Sequence, residues 1–447
     1  MTTFTLDGRT VSVARGRTLL DACREHRVHV PTLCHLDGVS AVASCRVCLV
    51  EVQGLGHPVP ACATVAEDGM EVATDTETLR SHRRFVVELL FAGGQHVCAF
   101  CPASGRCELQ ELASEVGLDH LRYQLPGPAP ALDASRPRFA LDPARCVLCT
   151  RCVRVCAEVE HAHTLGVTGR GAHARLFTDG GGRWGSSATC TDCGKCVTAC
   201  PTGALFEKVP AAQGLEAGTA TRPVAGAWAA RSPRAEVEAS ARVPAPVPAP
   251  LPVVGPALRP ASPGGFLPGG AVRRPRVATV WLGGCSGCHM SLLDLDERLL
   301  ELAPRMEVVY SPLVDAKEYP EGVDLCLVEG AVASEEHLAL VGRIRERTRV
   351  LVALGDCAAS GNVTAMRDAA GGAGAVLRRA WADASGLPPA RDPVLPALLE
   401  RVRPLHEVVR VDLFVPGCPP SAGAIHQVLS QLLAGRRPDL TGLVHLG

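Results

Sequence analysis

The spacing of its cysteines constrains this chain more than any other feature of its sequence. Twenty-one cysteines occur among 447 residues, and nineteen of them fall into five groups with metal-ligand spacing, one of which a histidine completes. The groups are Cys34, Cys45, Cys48 and Cys62; His96, Cys98, Cys101 and Cys107; Cys146, Cys149, Cys152 and Cys156; Cys190, Cys193, Cys196 and Cys200; and Cys285, Cys288, Cys357 and Cys418. Where thiols stay reduced, such groups indicate metal sites rather than disulfides. Five groups of four ligands predict five metal clusters, a density typical of proteins that carry electrons.

The charge and hydropathy of the chain exclude several other classes. With 45 basic and 46 acidic residues, nothing indicates a nucleic-acid partner or a membrane-surface partner, and an aromatic content of 4% argues against platforms for base stacking. No apolar run reaches the roughly 18 residues of a transmembrane helix. The N-terminus lacks the apolar core and cleavage site of a secretory signal. We therefore expect a cytoplasmic protein.

The first two groups leave the identity of the metal open. The first has the spacing C-x10-C-x2-C-x13-C, which departs from the C-x4-C-x2-C of plant ferredoxins. Its four thiolates suit a [2Fe–2S] cluster, and a four-cysteine zinc site is the alternative. The second group combines three thiolates with the imidazole of His96. It suits a [4Fe–4S] cluster or zinc, and His96 could also be a bystander beside three true ligands.

The third and fourth groups carry the most specific pattern. Each follows C-x2-C-x2-C-x3-C, the run of two-cluster bacterial ferredoxins, in which the fourth cysteine binds the other cluster. We therefore assign two [4Fe–4S] sites, one to Cys146, Cys149, Cys152 and Cys200, and one to Cys190, Cys193, Cys196 and Cys156. Pro201 follows the second run, whereas Ala157 replaces the usual proline after the first. Zinc is disfavoured, because zinc motifs place cysteines in pairs.

The fifth group is dispersed along the sequence but is united by its expected geometry. Cys285, Cys288, Cys357 and Cys418 each lie just past the C-terminal end of a predicted parallel strand, where open α/β sheets bind their ligands. Glu329 ends a further strand of this kind and is expected beside the site, the alternative being a surface carboxylate. The sequence CSGCH also matches a c-type haem attachment motif. That interpretation leaves Cys357 and Cys418 unexplained.

Three further residues are predicted to have structural roles only. Cys23 lies on the first predicted helix and Cys326 lies inside a buried strand, so both are expected to be small buried hydrophobic residues. His289 directly follows the fifth group's C-x2-C pair and is expected to belong to the first turn of a helix.

Composition and hydrophobic periodicity divide the chain into five parts. These are a mostly β domain at 1–78, a [4Fe–4S] segment with one histidine and three cysteines as ligands at 79–120, a two-cluster ferredoxin-like domain at 136–209, a linker rich in Pro, Ala and Gly at 210–273, and an α/β domain at 274–447. In the first part, FTLDG and RTVSVAR alternate in strand fashion around an Asp-Gly turn. TETLRSHRRFVVELLF, which opens the second part, has helical periodicity.

The α/β pattern begins at Arg276. RVATVWLGG, VDLCLVEG, RVLVALGDC and VVRVDLFVPGC are typical of buried strands, and SLLDLDERLLELA, SEEHLALVGRIRERT and AGAIHQVLSQLLAG are typical of helices. Strands that alternate with helices predict a parallel, doubly wound sheet. The expected fold class is multidomain, α+β and α/β, with a β-grasp [2Fe–2S] ferredoxin, a cluster segment of histidine and cysteine ligands, a two-[4Fe–4S] ferredoxin-like domain and a flavodoxin-like doubly wound parallel sheet.

The motifs around these groups resemble two known families. Residues 1–209 resemble the diaphorase iron–sulfur subunit of cytoplasmic NAD-reducing [NiFe] hydrogenases, the large iron–sulfur subunit of respiratory NADH dehydrogenase, and the cluster arm of [FeFe] hydrogenases. The resemblance rests on CRVCLVEV, HVCAFCPASGRCELQ, ARCVLCTRCVRVC and CTDCGKCVTACPTGAL. Residues 274–447 resemble the small subunit of NAD-linked [NiFe] hydrogenases, through WLGGCSGCHMSLLDLDERL, CLVEG, ALGDC and FVPGCPPSA.

The resemblance implies a set of cofactors and residue roles. It implies that Cys285, Cys288, Cys357 and Cys418 bind a proximal [4Fe–4S] cluster, and that Glu329 matches a family glutamate near it, which makes Glu329 a candidate catalytic residue. It implies one [2Fe–2S] and four [4Fe–4S] clusters in all. The NADH dehydrogenase relative has two adjacent cysteines where this chain has C-x2-C, which favours a hydrogenase over a quinone reductase.

Several motifs of a complete enzyme are missing from the sequence. No G-x-G-x-x-G follows a predicted strand and no G-x-x-x-x-G-K-S/T occurs, so no nicotinamide or nucleoside-triphosphate site is recognisable. No second pair of C-x-x-C motifs remains for a nickel–iron centre. We therefore expect the [NiFe] centre on a large-subunit partner, and FMN and NAD(P) on a diaphorase partner.

The function predicted from the sequence is electron transfer from H2 oxidation towards a flavin and NAD(P). Electrons would enter at the fifth group and pass through the two ferredoxin-type centres, while the [2Fe–2S] and His96 centres continue the path or form a side branch. Two alternatives stay open. One is a non-catalytic iron–sulfur redox sensor or adaptor, and the other is a subunit of an NADH:quinone oxidoreductase-like complex.

Overall fold

The described part of the chain comprises residues 1–123, 131–208, 273–314, 316–379 and 397–446 of a computed structural model. The predicted linker, apart from its last residue, lies outside these ranges. Among the helices within them, none combines the length and the apolar character that crossing a bilayer requires.

The first domain is a five-stranded sheet with one helix packed on it. Its elements are β1 Thr2–Leu6, β2 Arg9–Val13, α1 Leu19–Glu25, β3 Leu49–Val52, β4 Val59–Pro60 and β5 Glu71–Ala73. The strand order is β2-β1-β5-β3-β4, with β1 parallel to β5 and the other pairs antiparallel, which is a β-grasp arrangement. The first hairpin turns at Asp7 and Gly8, both with positive φ, as an Asp-Gly pair between two strands predicts.

Two helices carry the chain from the first domain towards the ferredoxin-like domain. They are α2 Glu77–Ala92 and α3 Glu108–Glu115. The first begins where the Thr76 hydroxyl accepts a hydrogen bond from the Leu79 amide at 3.2 Å, a typical N-cap. Its apolar side, which includes Leu79 and Val87, is buried. The helix predicted from periodicity is therefore present.

The ferredoxin-like domain is built from two short strand pairs and two short helices. Its elements are β6 Phe139–Leu141, α4 Arg151–Arg154, β7 Leu165–Thr168, β8 Arg175–Thr178, α5 Lys195–Thr198 and β9 Leu205–Glu207. Strand β6 pairs antiparallel with β9, and β7 pairs antiparallel with β8. A small apolar core, which includes Phe139 and Trp184, packs against cysteines of both runs. The β7–β8 hairpin has no counterpart among the sequence predictions.

The C-terminal domain is a parallel sheet between layers of helices. Its strands are β10 Arg276–Trp281, β11 Glu307–Tyr310, β12 Val323–Glu329, β13 Val332–Ser334, β14 Thr348–Leu354, β15 Leu398–Arg403 and β16 Leu413–Val415. Its helices are α6 Gly287–Leu293, α7 Glu297–Leu302, α8 Glu335–Arg347, α9 Asp356–Ser360, α10 Asn362–Ala369, α11 Gly372–Leu377 and α12 Ala422–Leu433. The five-stranded sheet has the order β11-β10-β12-β14-β16, all parallel, and β13 pairs with β15 in a separate antiparallel ribbon.

When its five strands are numbered in chain order, the sheet has the order 2-1-3-4-5, which defines a flavodoxin-like fold. The chain reverses direction across the sheet between β10 and β12, and this switch point is where such folds bind their ligands. Every residue of β12 is buried, as is expected of a strand covered on both faces. Cys326, inside this strand, and Cys23, on α1, are both fully buried, as predicted.

Two elements of this domain differ from the sequence prediction. The segment SLLDLDERLLELA does not form one helix, because Asp296 adopts a φ of 49° and separates α6 from α7. VVRVDLFVPGC contains only three strand residues, β16, because a 3-10 turn at Leu405–Glu407 and an irregular segment precede them. In both places a backbone conformation set by the surrounding fold overrides the hydrophobic pattern.

The two halves of the chain contact each other directly. The ring of His120 stacks on the ring of Phe414, with centroids 4.0 Å apart and an angle of 9° between the planes. Gln110 Nε2 donates a hydrogen bond to the carbonyl oxygen of Leu446 at 3.4 Å. The Leu446 side chain is buried in the same apolar cluster as Val87 of α2. The C-terminal segment therefore packs against the helices of the N-terminal half.

Candidate metal centres

The first cysteine group converges within the β-grasp domain. All four residues are buried. The Cys34 sulfur hydrogen-bonds those of Cys45 and Cys62, and the Cys62 sulfur also hydrogen-bonds that of Cys48. These contacts lower the pKa of Cys34 and lower that of Cys48 to about 7, whereas they raise the pKa of Cys62. Four soft sulfur donors within hydrogen-bonding distance form a donor set that suits iron–sulfur chemistry.

His96 is held so that one ring nitrogen is available to a metal. Its ring hydrogen-bonds the backbone of Leu90, while Nε2 is buried and has no hydrogen-bond partner. A Cβ atom at Gly94 would lie 2.7 Å from Nε2, so a side chain at that position would obstruct it. Burial lowers the His96 pKa to about 4, which keeps the imidazole neutral. A neutral imidazole that is oriented through one nitrogen presents the lone pair of the other, as metal ligation requires.

The three cysteines of the second group lie near one another, and the Cys98 sulfur donates a hydrogen bond to the carbonyl oxygen of His96 at 3.6 Å. Cys98 and Cys107 are buried, and Cys101 is partly exposed. Burial raises the pKa of Cys98 to about 12, and the charges of Asp356, Cys101 and Cys107 add to this effect. A thiol with a raised pKa becomes a ligand when a metal ion displaces its proton. The buried, partnerless nitrogen and the three thiols therefore fit a metal cluster.

The third and fourth groups exchange their last cysteines in space. One cavity, partly open to solvent, is lined by Cys146, Cys149, Cys152 and Cys200. A second is lined by Cys156, Cys190, Cys193 and Cys196. The structure thus brings together the two ligand sets that the bacterial ferredoxin pattern assigns.

Left-handed residues shape the two ferredoxin-type loops. Leu148 and Thr150 in the first run, and Asp192 and Gly194 in the second, all have φ between 51° and 76°. These conformations turn each loop before its short helix and so bring successive cysteines to one side. After α4 the chain forms a π-turn that contains Cys156. Such turns are rare and are frequent at functional sites.

The fifth group gathers at the carboxyl ends of the parallel strands. Cys285 follows β10, Cys357 follows β14 and Cys418 follows β16, while Cys288 lies in the first turn of α6. Burial raises the pKa of Cys418 to about 12, and the charges of Asp356, Cys357 and Cys285 add to this effect. The c-type haem alternative is disfavoured, because the structure brings Cys357 and Cys418 beside the C-x2-C pair.

Glu329 lies under this site and is not a surface carboxylate. It ends β12 at the switch point, and the residue is 3% exposed. Its carboxylate accepts hydrogen bonds from the Cys288 amide at 3.4 Å and from the His289 amide at 2.9 Å. The ring Nδ1 of His289 lies 2.5 Å from the same carboxylate. Glu329 therefore anchors the turn that carries Cys288.

His289 is the residue at this site that the sequence prediction underestimated. It does lie in the first turn of α6, as expected, but its side chain is buried against Glu329 and Trp281, with the two rings 5.1 Å apart. The signal available in the sequence was a histidine directly after a ligand cysteine. Its pairing with Glu329 spans forty residues and depends on the strand order.

Across the described ranges, no three or more His, Cys, Asp or Glu side chains are placed to hold a single metal ion. The choice between zinc and iron–sulfur clusters at the first two groups therefore rests on the donor chemistry and on the similarity to known proteins.

Four family models match the chain in succession. They are described as a 2Fe-2S iron-sulfur cluster binding domain at residues 1–77, an NADH-ubiquinone oxidoreductase-G iron-sulfur binding region at 83–122, an NADH-quinone oxidoreductase subunit 3 ferredoxin-like domain at 137–206, and the NADH ubiquinone oxidoreductase 20 Kd subunit at 285–432. Every ligand group lies within one of these ranges. Fold and matches together define a multidomain iron–sulfur oxidoreductase with [2Fe–2S] and [4Fe–4S] binding domains.

Individual relatives narrow this class. The delta subunit of the NAD-reducing hydrogenase HoxS of Cupriavidus necator is 39% identical over 175 residues, and the match covers 38% of this chain and 84% of that subunit. The gamma subunit of the same enzyme is 32% identical over 206 residues, and the match covers 46% of this chain and 86% of that subunit. The chain therefore belongs to the family of NAD-reducing hydrogenase subunits. The prediction of a fusion between a diaphorase iron–sulfur part and a hydrogenase small-subunit part is confirmed.

Other matches cover smaller shares or carry less weight. The NADPH-Fe(3+) oxidoreductase subunit alpha of Geobacter sulfurreducens is 36% identical over 208 residues, 46% of this chain, and the match spans only 24% of its length. A solved structure, of an NAD+-reducing [NiFe]-hydrogenase in the H2-reduced state, has 36% sequence identity and a TM-score of 0.43, and the match covers 48% of this chain and 90% of that chain.

Proposed function

We propose that the chain is the electron-transfer subunit of a cytoplasmic, NAD(P)-linked [NiFe] hydrogenase. It would relay electrons between H2 oxidation on a large-subunit partner and a flavin- and NAD-binding diaphorase partner. One observation carries the proposal: a single chain gathers five four-ligand groups and resembles two subunits of one NAD-reducing hydrogenase over most of their lengths.

Five iron–sulfur sites follow from the ligand sets. The first group would hold one [2Fe–2S] cluster, and the other four sets would each hold a [4Fe–4S] cluster. Such clusters supply one-electron transfer, and the protein tunes their potentials through ligand type, hydrogen bonds and burial. His96, as a neutral ligand, leaves its site with one negative charge fewer than four thiolates would. This difference favours the reduced state of that site.

The contact between the two halves bears on the order of the sites. Asp356, next to the ligand Cys357, acts electrostatically on Cys98. We therefore propose that the His96 group adjoins the fifth group. The His96 group would then belong to the main path rather than to a side branch.

The remaining parts of the enzyme are proposed to lie on other chains. The sequence contains no motif for a [NiFe] centre, FMN or NAD(P), so these are assigned to the large-subunit and diaphorase partners. Within the chain, the proposed units are the [2Fe–2S] domain at 1–78, the His96 cluster segment at 79–120, the ferredoxin-like domain at 136–209 and the small-subunit-like domain at 274–447, joined by the linker.

The test removes one ligand of the fifth group. In the purified complex, Cys357→Ala should abolish NAD+ reduction under H2 and leave NADH-to-dye activity intact, because only the site next to the large subunit loses a ligand. Cys326→Ala is the matched control, since this cysteine is also buried but belongs to no group. Unchanged H2-driven NAD+ reduction in Cys357→Ala would count against the assignment.

One observation favours a second candidate, a subunit of an NADH:quinone oxidoreductase-like complex. The C-terminal domain matches the NADH ubiquinone oxidoreductase 20 Kd subunit model over residues 285–432. Against it stands the C-x2-C spacing of Cys285 and Cys288. Nickel analysis of the purified complex separates the two candidates. Stoichiometric nickel supports the hydrogenase, whereas a nickel-free complex that reduces quinones with NADH supports the alternative.

A further inference from the structure

The long loop of the first cysteine group is fastened to the ferredoxin-like domain. This loop, residues 35–44, separates Cys34 from Cys45 and is the part of the spacing that departs from plant ferredoxins. The amide and hydroxyl of Ser40, in the middle of the loop, donate hydrogen bonds to the carboxylate of Glu158 at 2.7 and 2.5 Å. The loop therefore docks on the π-turn that follows α4.

A buried arginine side chain also holds the loop against the ferredoxin-like domain. Arg154, the last residue of α4, is 5% exposed. Its Nη1 donates to the carbonyl of Ser40 at 2.5 Å, and its Nη2 donates to the carbonyls of Cys34 at 2.5 Å and Cys149 at 3.4 Å. One guanidinium thus binds the backbone of a ligand from the first group and of a ligand from a ferredoxin-type set.

The placement of this charge differs from that of another buried arginine, Arg83. Arg83 is equally buried and also donates to two backbone carbonyls, those of Leu49 and Thr74, but neither belongs to a ligand. An arginine stays ionised in proteins. The carboxylate that interacts electrostatically with Arg154 is Glu158, and it is exposed to solvent. The positive charge of Arg154 is therefore buried between two ligand groups.

We propose that Arg154 is a positioning residue that couples the [2Fe–2S] site to the site of Cys146, Cys149, Cys152 and Cys200. It fixes the spacing of the two ligand loops through its carbonyl contacts, and it places one positive charge where both sites experience its field. A nearby positive charge favours the more negative, reduced state, so Arg154 raises the potentials of both sites together. The inference rests on the proposed function only in requiring that both sites hold their clusters.

The first experiment removes the charge. In the purified complex carrying Arg154→Gln, redox titration with dithionite, followed by paramagnetic resonance, should show the midpoint potentials of both sites shifted downward. Arg367→Gln is the matched control, because Arg367 also donates to two backbone carbonyls, those of Ala333 and Leu399, far along the chain from these ligand groups. Its potentials should equal those of the unmodified complex. Unchanged potentials in Arg154→Gln, or a shift of only one site, would overturn the proposal.

A second variant separates the charge from the geometry. Arg154→Lys keeps the charge but cannot reach all three carbonyls with a single ammonium group. It should show less than half of the potential shift of Arg154→Gln, together with a weaker magnetic interaction between the two reduced sites. A Lys variant that shifts both potentials as far as Gln does would mean that the role is merely structural. If Arg154→Gln does not load its clusters, the magnetic interaction between the two reduced sites of Arg154→Lys is the deciding measurement. A weaker interaction than in the unmodified complex supports the proposal, and an unchanged interaction refutes it.

These measurements need neither H2 nor NAD+. A complex that fails to reduce NAD+ under H2 while its potentials respond as described would refute the proposed function and leave the role of Arg154 standing. Normal H2-driven reduction of NAD+, with midpoint potentials that do not change in the Arg154 variants, would refute the role of Arg154 and leave the proposed function standing.

Discussion

Two glycines allow distant backbone segments to approach the ligand sulfurs. A Cβ atom at Gly203 would overlap the sulfur of Cys101, and one at Gly355 would overlap that of Cys288. Gly355 also has a φ of +80°, a conformation that side chains disfavour, whereas Gly203 has an ordinary backbone. At Gly203, close approach alone therefore explains the absence of a side chain.

Replacing Gly203 by alanine should empty one site selectively. Gly203→Ala should displace the Cys101 sulfur and lower the iron content by about four of the roughly 18 atoms that five sites would hold. Iron quantitation per chain measures this loss. Gly56→Ala is the matched control, because nothing lies within 4 Å of the Cβ it would add. A full iron content in Gly203→Ala would contradict the placement of Cys101 among the ligands.

At the scale of elements, the segment after α3 docks against β16 through aromatic rings. His120 lies between Asp119, whose carboxylate is 2.9 Å from its Nδ1, and the ring of Phe414. His406 packs edge-on against both rings. Burial lowers the His406 pKa to about 4, and the charge of His120 adds to this effect, while Glu88 and Asp119 act in the opposite direction. The contact therefore requires a neutral His406.

This contact should weaken in mild acid. The His406 pKa lies near 4 in the folded chain and near 6.5 when exposed, so its contribution to stability is complete above about pH 6.5 and is lost as the pH falls to about 4. The loss is on the order of 3 kcal/mol. Between pH 7 and pH 5 about 2 kcal/mol of this loss should appear. Urea unfolding at the two pH values measures it, and the unfolding midpoint of His406→Phe should fall less than that of the unmodified chain. His57→Phe, at an exposed histidine, should keep the original pH dependence. Identical pH dependence in His406→Phe would contradict this account.

Regular elements could be predicted from the sequence where local pattern and fold agree. Helix α2 begins and ends within one residue of the bounds that the periodic segment predicts. The alternation of strands and helices likewise predicts the flavodoxin-like sheet. The break at Asp296 could not be predicted, because the apolar pattern of SLLDLDERLLELA continues across the residue whose φ is positive. The β7–β8 hairpin escaped notice because its strands are only four residues long.

The ligand groups could be predicted because the spacing of their cysteines is a property of the sequence itself. Their supporting contacts could not, because these join residues far apart in sequence. The pairing of Glu329 with His289 depends on the order of the strands, and the contact of Arg154 with Cys34 spans 120 positions. Such contacts become visible only when the fold is known.

At the scale of the whole molecule, the C-terminal segment joins the two halves. Leu446 is 4% exposed and belongs to the apolar cluster that also contains Val87 and Leu109. Its carbonyl accepts the hydrogen bond from Gln110 of α3. Two contact regions, around His120 and around Leu446, therefore fix the small-subunit-like domain on the N-terminal half.

Shortening the Leu446 side chain should weaken the contact between the two halves of the chain. Leu446→Ala should cost about 2–5 kcal/mol, the usual penalty for a buried leucine, and should speed amide hydrogen exchange in α2 and α3. Mass-spectrometric exchange on the complete chain measures the effect. His445→Ala, at an exposed neighbour, should leave the exchange unchanged. Equal protection in Leu446→Ala and the unmodified chain would show that the segment does not hold the halves together.

The covalent connection changes what happens when the contacts at His120 and Leu446 open. Two separate polypeptides would dissociate, and dilution would slow their reassociation. Here the opened halves remain tethered, and rebinding is a first-order event at an effective concentration set by the tether. The fused chain should therefore keep transferring electrons between its two halves at dilutions that would dissociate a two-subunit counterpart. Its two halves are also always made in equal numbers.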